Sequence, residues 1–169
     1  MSTYTVSETA VIQAPADMVY QIIADYNSSH PAILPPRYFT GLTVLKGGQG
    51  AGTELLAEMN IFGASFQYHL VVSEPEPGHI LKEEDPQAGM ETWFHVEPID
   101  NVRRCCVTIT TKARTGGGVR GFLEKVFNPP ITRKIYREQL NRLADVAANY
   151  VVNERLPERD KNEKDGNGQ

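Results

Sequence analysis

Cysteine is nearly absent from this chain: the only two, Cys105 and Cys106, are neighbours among 169 residues. A disulfide between adjacent cysteines would close a strained ring. Two cysteines without a nearby pair of histidines also make a poor zinc site. We therefore expect no metal centre and no cofactor, and interpret the pair as small side chains on opposite faces of one strand.

Long apolar runs and an excess of basic charge are missing as well. No stretch approaches the roughly 18 apolar residues of a membrane-spanning helix, and residues 1–10 lack the basic start and apolar run of a signal peptide. The 17 Lys and Arg residues stand against 21 Asp and Glu residues, for a formal net charge of −4. A nucleic-acid-binding protein would normally present a basic face. The sequence thus predicts a cytoplasmic protein with no membrane span and no nucleic-acid partner.

The length of the chain and the composition of its end indicate one domain with a tail. A chain of 18.8 kDa fits a single domain. Residues 153–169 are mostly charged and polar, so they cannot bury enough apolar surface to offset the entropy lost on ordering. We predict a folded domain over residues 1–152 and a disordered charged tail over residues 153–169.

The order of periodic segments predicts an α+β fold. Two short helical segments, around residues 15–24 and 30–34, follow a first β-prone run, and strand-like runs separated by turn residues come next. Apolar residues recur every three or four positions over 119–152, which predicts a long helix interrupted at Pro129 and Pro130. A helix covering one face of an antiparallel sheet follows from this order. The predicted strands cover residues 3–13, 38–46, 53–61, 64–74, 80–84, 90–97 and 103–114.

Alternation within the strands assigns an inner face that is mostly apolar. Either this face belongs to an ordinary packed core, or it lines a cavity with apolar walls and a few polar groups. Glu83, Glu84 and Asp85 are interpreted as a solvated strand end. The inner positions are Thr53, Leu55, Ala57, Met59, Ile61, Phe66, Tyr68, Leu70, Val72, Thr92, Phe94, Val96, Cys105, Val107 and Ile109.

Several local phrases resemble one family. They are Ala-Pro-Ala-Asp-Met-Val-Tyr at residues 14–20, Phe-His-Val-Glu-Pro at 94–98, and Phe-Asn-Pro-Pro-Ile at 127–131, which leads into 136–143. Together with the element order, they resemble the START-like helix-grip superfamily SRPBCC, which includes polyketide cyclase/dehydrase-like proteins. The resemblance covers residues 2–152. It implies a curved, seven-stranded antiparallel sheet around a long C-terminal helix, two short helices closing one end, and a cavity for a hydrophobic ligand.

The candidate site residues follow from the inner face and the implied cavity. Tyr38 and Tyr68 are the best polar candidates, because a tyrosine combines an apolar ring with one hydrogen-bonding tip; each is equally well a buried core tyrosine. His30 lies near the predicted cavity mouth as a general base or as loop surface, and Asp25 as a second polar group or a helix cap. The predicted lining is Tyr38, Leu55, Met59, Phe66, Tyr68, Leu70, Phe94, Val107, Phe122, Val126, Ile131 and Ile135.

Two functions fit these observations, and no catalytic constellation in the sequence decides between them. The leading hypothesis is a carrier or sensor that binds a hydrophobic small molecule, lipid-, polyketide- or aromatic-like. The alternative is a polyketide cyclase/dehydrase-type enzyme with Tyr38, Tyr68 or His30 as acid/base or orienting groups. At least two titratable side chains converging in the cavity would favour the enzyme. A homodimer is compatible with the sequence, although no residue pattern supports it.

Overall fold

The computed structural model describes residues 2–100, 103–115 and 129–155. Its element order is one strand, two short helices, six strands and a long helix. The elements are β1 (Ser2–Ile12), α1 (Ala16–Ala24), α2 (Ser29–Ile33), β2 (Phe39–Lys46), β3 (Glu54–Ile61), β4 (Ala64–Glu76), β5 (Ile80–Asp85), β6 (Met90–Ile99), β7 (Arg104–Thr115) and α3 (Pro129–Arg155).

The seven strands form one antiparallel sheet in the order β1-β7-β6-β5-β4-β3-β2. Every neighbouring pair except β1 and β7 is also consecutive in the chain, so most of the sheet is a meander. Helices α1 and α2 connect the two edge strands β1 and β2. The predicted helix-grip fold, a curved seven-stranded sheet with a long C-terminal helix and two short helices, is confirmed.

The inner face of the sheet is the one that alternation predicts. Each predicted inner residue of β3, β4, β6 and β7 is buried. Helix α3 covers this face with Ile135, Leu140, Leu143 and Ala147, which join the same hydrophobic core. In β7, Cys105 is buried and Cys106 is half-buried, as expected for opposite faces. Burial raises the pKa of the Cys105 thiol to about 11, which keeps it protonated and unreactive.

The predicted long helix and the predicted tail lie partly outside the described residues, and one interpretation of a strand end is wrong. The described helix α3 starts at Pro129, so the two prolines at which the sequence predicts an interruption are its first two residues. The rest of the predicted helix, 119–128, lies outside the described residues, as does 156–169 of the predicted tail. The interpretation of Glu83 and Asp85 as a solvated end is wrong, because both are buried on the inner face of β5.

No helix in the described part of the chain is both long and apolar enough to cross a membrane.

Candidate functional site

A cavity of about 80 Å³ lies between the inner face of the sheet and helix α3. Strands β2, β3 and β4 supply a wall that is apolar except for Tyr68, whereas the polar groups come mainly from α2, β5, β6 and α3. The apolar lining is Leu34, Phe39, Leu42, Leu55, Ala57, Met59, Leu70, Met90, Phe94 and Ile135. The polar lining is His30, Tyr68, Glu83, Thr92, Thr132, Tyr136 and Gln139.

The structure brings together about half of the residues that the sequence predicts for this site. Leu55, Met59, Tyr68, Leu70, Phe94 and Ile135 line the cavity, and so does His30. Among the described residues, Tyr38, Phe66, Val107, Ile131 and Asp25 do not line it. Phe122 and Val126 lie outside the described residues.

Two of the residues that do not line the cavity have structural surroundings that explain their burial. Tyr38 is buried just before β2, and the Arg37 guanidinium lies 4.8 Å from the centroid of its ring. The Tyr38 carbonyl accepts a hydrogen bond of 2.8 Å from the Asn60 N–H. Val107 is fully buried in the core cluster on β7. Tyr38 and Val107 therefore pack in the structure around the cavity and do not form its surface.

Asp25 fixes the loop between α1 and α2. Its carboxylate accepts hydrogen bonds from the Asn27 N–H at 3.1 Å, the Gln49 amide at 2.7 Å, the Ser29 N–H and the Ser28 hydroxyl. Burial raises the pKa of Asp25, but the hydrogen bonds from Ser28, Ser29 and Asn27 outweigh it and hold the pKa below its usual value. The side chain is therefore a loop cap and faces an outer groove between α1 and the sheet.

His30 and Glu83 form the central polar contact of the cavity. His30 Nδ1 lies 2.6 Å from the carbonyl oxygen of Ile23, and Nε2 lies 3.7 Å from Oε1 of Glu83. Both side chains are nearly buried, with 3% and 10% of their surfaces exposed. The β5 strand places Glu83 here because it shares the inner face with the fully buried Leu81.

Tyr26 holds this pair in position. Its hydroxyl donates a hydrogen bond of 2.7 Å to Oε1 of Glu83, and its ring stacks on the His30 ring with centroids 4.4 Å apart. The Phe94 ring is nearly perpendicular to the same imidazole, with the two centroids 5.9 Å apart. Burial and the neighbouring Glu83 charge raise the pKa of Tyr26 well above its usual value, so the phenol stays a neutral donor.

A chain of three hydroxyls forms a second polar group. Thr92 Oγ1 lies 2.7 Å from Thr111 Oγ1, which is hydrogen-bonded in turn to the Tyr136 hydroxyl. Burial raises the pKa of Tyr136 to about 12, against the opposing effect of the bonds from Thr111 and Thr92. Tyr136 thus remains protonated and offers the cavity a neutral hydroxyl.

Gln139 lies one turn further along the helix. Only 3% of its surface is exposed, and its side chain lines the cavity. A carboxamide can both donate and accept hydrogen bonds. Gln139 is therefore a polar group of the cavity lining to which a bound molecule could hydrogen-bond.

Sequence reasoning missed Glu83, Tyr136 and Gln139 because it selected inner positions by their apolar character. A usable signal was present in β5, where alternation from Leu81 places Glu83 on the inner face. In α3 the spacing of Thr132, Tyr136 and Gln139 puts all three on one helical face with Ile135. Following the period regardless of polarity would have found these residues.

Comparisons with known proteins agree on the fold. A family model described as polyketide cyclase / dehydrase and lipid transport matches residues 3–148. The solution structure of the KanY protein is 30% identical, with a TM-score of 0.74 over 88% of this chain and 99% of that one. No curated protein matches the sequence.

Two more distant structures share the fold alone. A START superfamily protein from Mycobacterium smegmatis is 19% identical, with a TM-score of 0.61 over 88% of this chain and 97% of that one. Norcoclaurine synthase from Thalictrum flavum, solved in complex with dopamine and hydroxybenzaldehyde, is 20% identical, with a TM-score of 0.62 over 92% of this chain and 90% of that one.

Proposed function

This chain belongs to the polyketide cyclase/dehydrase and lipid transport family, and on that premise we propose that it binds a small, mostly apolar molecule with one polar end in the cavity beneath α3. A carrier or a sensor would use the site in this way. The division of the cavity wall supports the proposal. Leu55, Ala57 and Met59 offer an apolar surface to the body of the molecule, and Gln139 and Tyr136 offer hydrogen bonds to its polar end.

The volume of the cavity limits the size of the molecule. About 80 Å³ is roughly half of the ~150 Å³ cavity that accommodates benzene in another protein. A molecule of one ring or more must therefore displace side chains. Met59 and Met90 line the cavity, and their unbranched side chains change rotamer easily. Molecules of one or two rings are expected to bind in preference to long-chain lipids.

A thermal-shift screen with a blocked-cavity variant tests the binding function. A ligand that binds only the native state raises the midpoint of unfolding. Ala57→Phe fills the cavity and is expected to abolish the shift. Leu56→Phe, at the next position of β3 on the outer face, is the matched control and is expected to retain it. The proposal fails if no one- or two-ring ketone, phenol or hydrocarbon shifts the wild type, or if Ala57→Phe retains the full shift.

An enzyme of the polyketide cyclase type is the second candidate. The observation that favours it is the presence of two ionisable side chains, His30 and Glu83, in contact with each other inside the cavity. A pure carrier gains little from burying an ionisable pair, because desolvation costs free energy that apolar side chains avoid. A cytoplasmic location stays a prediction for either function.

A further inference from the structure

The neighbours of the two His30 ring nitrogens indicate where its protons lie. A backbone carbonyl can only accept, so the 2.6 Å contact with Ile23 places a hydrogen on Nδ1. Nε2 then faces the Glu83 carboxylate at 3.7 Å. A bare nitrogen lone pair and a carboxylate would repel each other in this buried position. A proton on Nε2 replaces that repulsion with the attraction of an ion pair.

Neighbouring side chains enclose the His30–Glu83 pair on one side, and the cavity lies on the other. Tyr26 and Phe94 enclose the imidazole ring, and the Tyr26 hydroxyl contacts Oε1 of Glu83. The contacts with Tyr26 and His30 thus both engage Oε1 of the carboxylate. Since Glu83 and His30 line the cavity, a bound molecule meets a carboxylate whose position is already set.

We infer that His30 and Glu83 act as an acid–base pair on a carbonyl compound bound in the cavity, an inference that rests on the proposed binding function. The Glu83 carboxylate takes a proton from the carbon next to the carbonyl group. The C–H bond breaks, and its electron pair forms the C=C bond of an enolate while the carbonyl π electrons move to oxygen. Return of a proton from Glu83 to carbon reverses the step, so no oxidant, reductant or co-reactant is needed.

The surroundings stabilise the negative charge after it leaves Glu83. With a proton on each ring nitrogen, His30 is an imidazolium; it remains beside the protonated Glu83 and balances the charge of the enolate. Gln139 and Tyr136 line the same cavity and can donate hydrogen bonds to the enolate oxygen. Donors held in place before the reaction stabilise developing charge without reorganisation. The substrate class is therefore a small, apolar carbonyl compound with an acidic neighbouring C–H bond.

Hydrogen–deuterium exchange of 2-indanone tests the inference without the natural substrate. Its four hydrogens beside the carbonyl group are replaced by deuterium in D₂O, and their loss is followed by proton NMR. The wild type is expected to accelerate the exchange over buffer. Glu83→Gln preserves the shape of the side chain and is expected to lower the enzymatic rate at least tenfold, because general acid–base catalysis typically contributes about 10²–10⁴-fold.

Glu84→Gln is the matched control, since it removes the neighbouring carboxylate on the outer face of β5. It is expected to keep the wild-type rate. His30→Asn removes the positive charge beside Glu83 and is expected to slow exchange as well. If Glu83→Gln does not fold, His30→Asn provides the test of the inference. If either variant is folded and exchanges 2-indanone at the wild-type rate, the inference is wrong.

The two proposals fail separately in this experiment. A wild-type protein that exchanges 2-indanone no faster than buffer overturns the acid–base inference. If 2-indanone still raises the midpoint of thermal unfolding, the binding function stands alone. If it also causes no shift, the result counts against both proposals.

Discussion

At the scale of single residues, several buried polar side chains have hydrogen-bond partners inside the protein. The Tyr26 hydroxyl bonds to Glu83, and Thr92, Thr111 and Tyr136 bond to one another. Burial of a polar group costs free energy unless a partner replaces water. Removing one partner therefore costs more than the bond itself contributes, because the other group stays buried.

Tyr136→Phe should lower the free energy of unfolding by about 1 kcal/mol, because Thr111 loses one of its two hydroxyl partners. Urea unfolding at constant pH measures the change. Tyr150→Phe, at a tyrosine with 43% of its surface exposed, is the control and should change stability by less than about 0.5 kcal/mol. Equal midpoints for Tyr136→Phe and the wild type would contradict a stabilising hydroxyl chain.

Asp25→Asn should destabilise the protein in a manner that depends on pH. The folded state holds the pKa of Asp25 below its unfolded value, so this stabilisation is present above the unfolded pKa and is lost as pH falls through the folded one. We expect a deficit of about 1 kcal/mol at pH 7 that shrinks below about pH 4. Urea midpoints between pH 7 and pH 3 measure it.

The control for that titration is Glu76→Gln, which removes an exposed carboxylate at the end of β4. Its effect on stability should stay below about 0.5 kcal/mol. A deficit in Asp25→Asn that is the same at pH 7 and pH 3 would show that the charge of Asp25 does not stabilise the α1–α2 loop.

At the scale of elements, one hairpin departs from the usual turn chemistry. Phe62 and Gly63 connect β3 to β4, with φ angles of 51° and 84° and the flanking Ile61 paired with Ala64. Positive φ at both central positions is the geometry of a type I′ turn, in which Asn-Gly is the favoured pair. A phenylalanine in the left-handed region carries a steric cost, and 87% of its surface is exposed.

Phe62→Asn should stabilise the protein by about 1 kcal/mol, because asparagine tolerates the left-handed conformation. For a chain of this size, that corresponds to about 2–4 °C in the midpoint of thermal unfolding. Phe62→Ala retains the steric cost and serves as the control without a gain. A lower midpoint for Phe62→Asn would mean that the exposed ring packs usefully.

The elements that sequence predicts best are those whose period and polarity agree. Leu55, Phe66 and Phe94 are apolar at alternating positions, so their inward direction follows from the pattern. Strand β5 breaks this agreement, because the charged Glu83 occupies an inner position beside Leu81. The charge of Glu83 favours an exposed position, whereas the alternation along β5 favours a buried one. The structure follows the alternation.

At the scale of the whole molecule, the polar half of the cavity could not be predicted from local patterns. His30, Glu83 and Tyr136 belong to α2, β5 and α3, and only the curvature of the sheet around the helix brings these elements together. The resemblance to a family implied a cavity without naming its polar residues. A fold does not determine a function by itself, because the chemistry depends on the particular side chains of the site.

The buried pair His30–Glu83 also affects the stability of the whole domain. Breaking a buried ionic contact by removing one partner leaves an uncompensated group, so His30→Leu and Glu83→Leu should each destabilise the protein by about 3 kcal/mol. The double variant should recover most of that loss, because two apolar side chains need no partner, although the Tyr26 hydroxyl then loses its acceptor. Urea unfolding of the four proteins gives the coupling energy. Strictly additive effects would show that the two side chains do not interact; recovery would mean that the domain retains a pair that apolar residues could replace, as expected where function rather than stability maintains it.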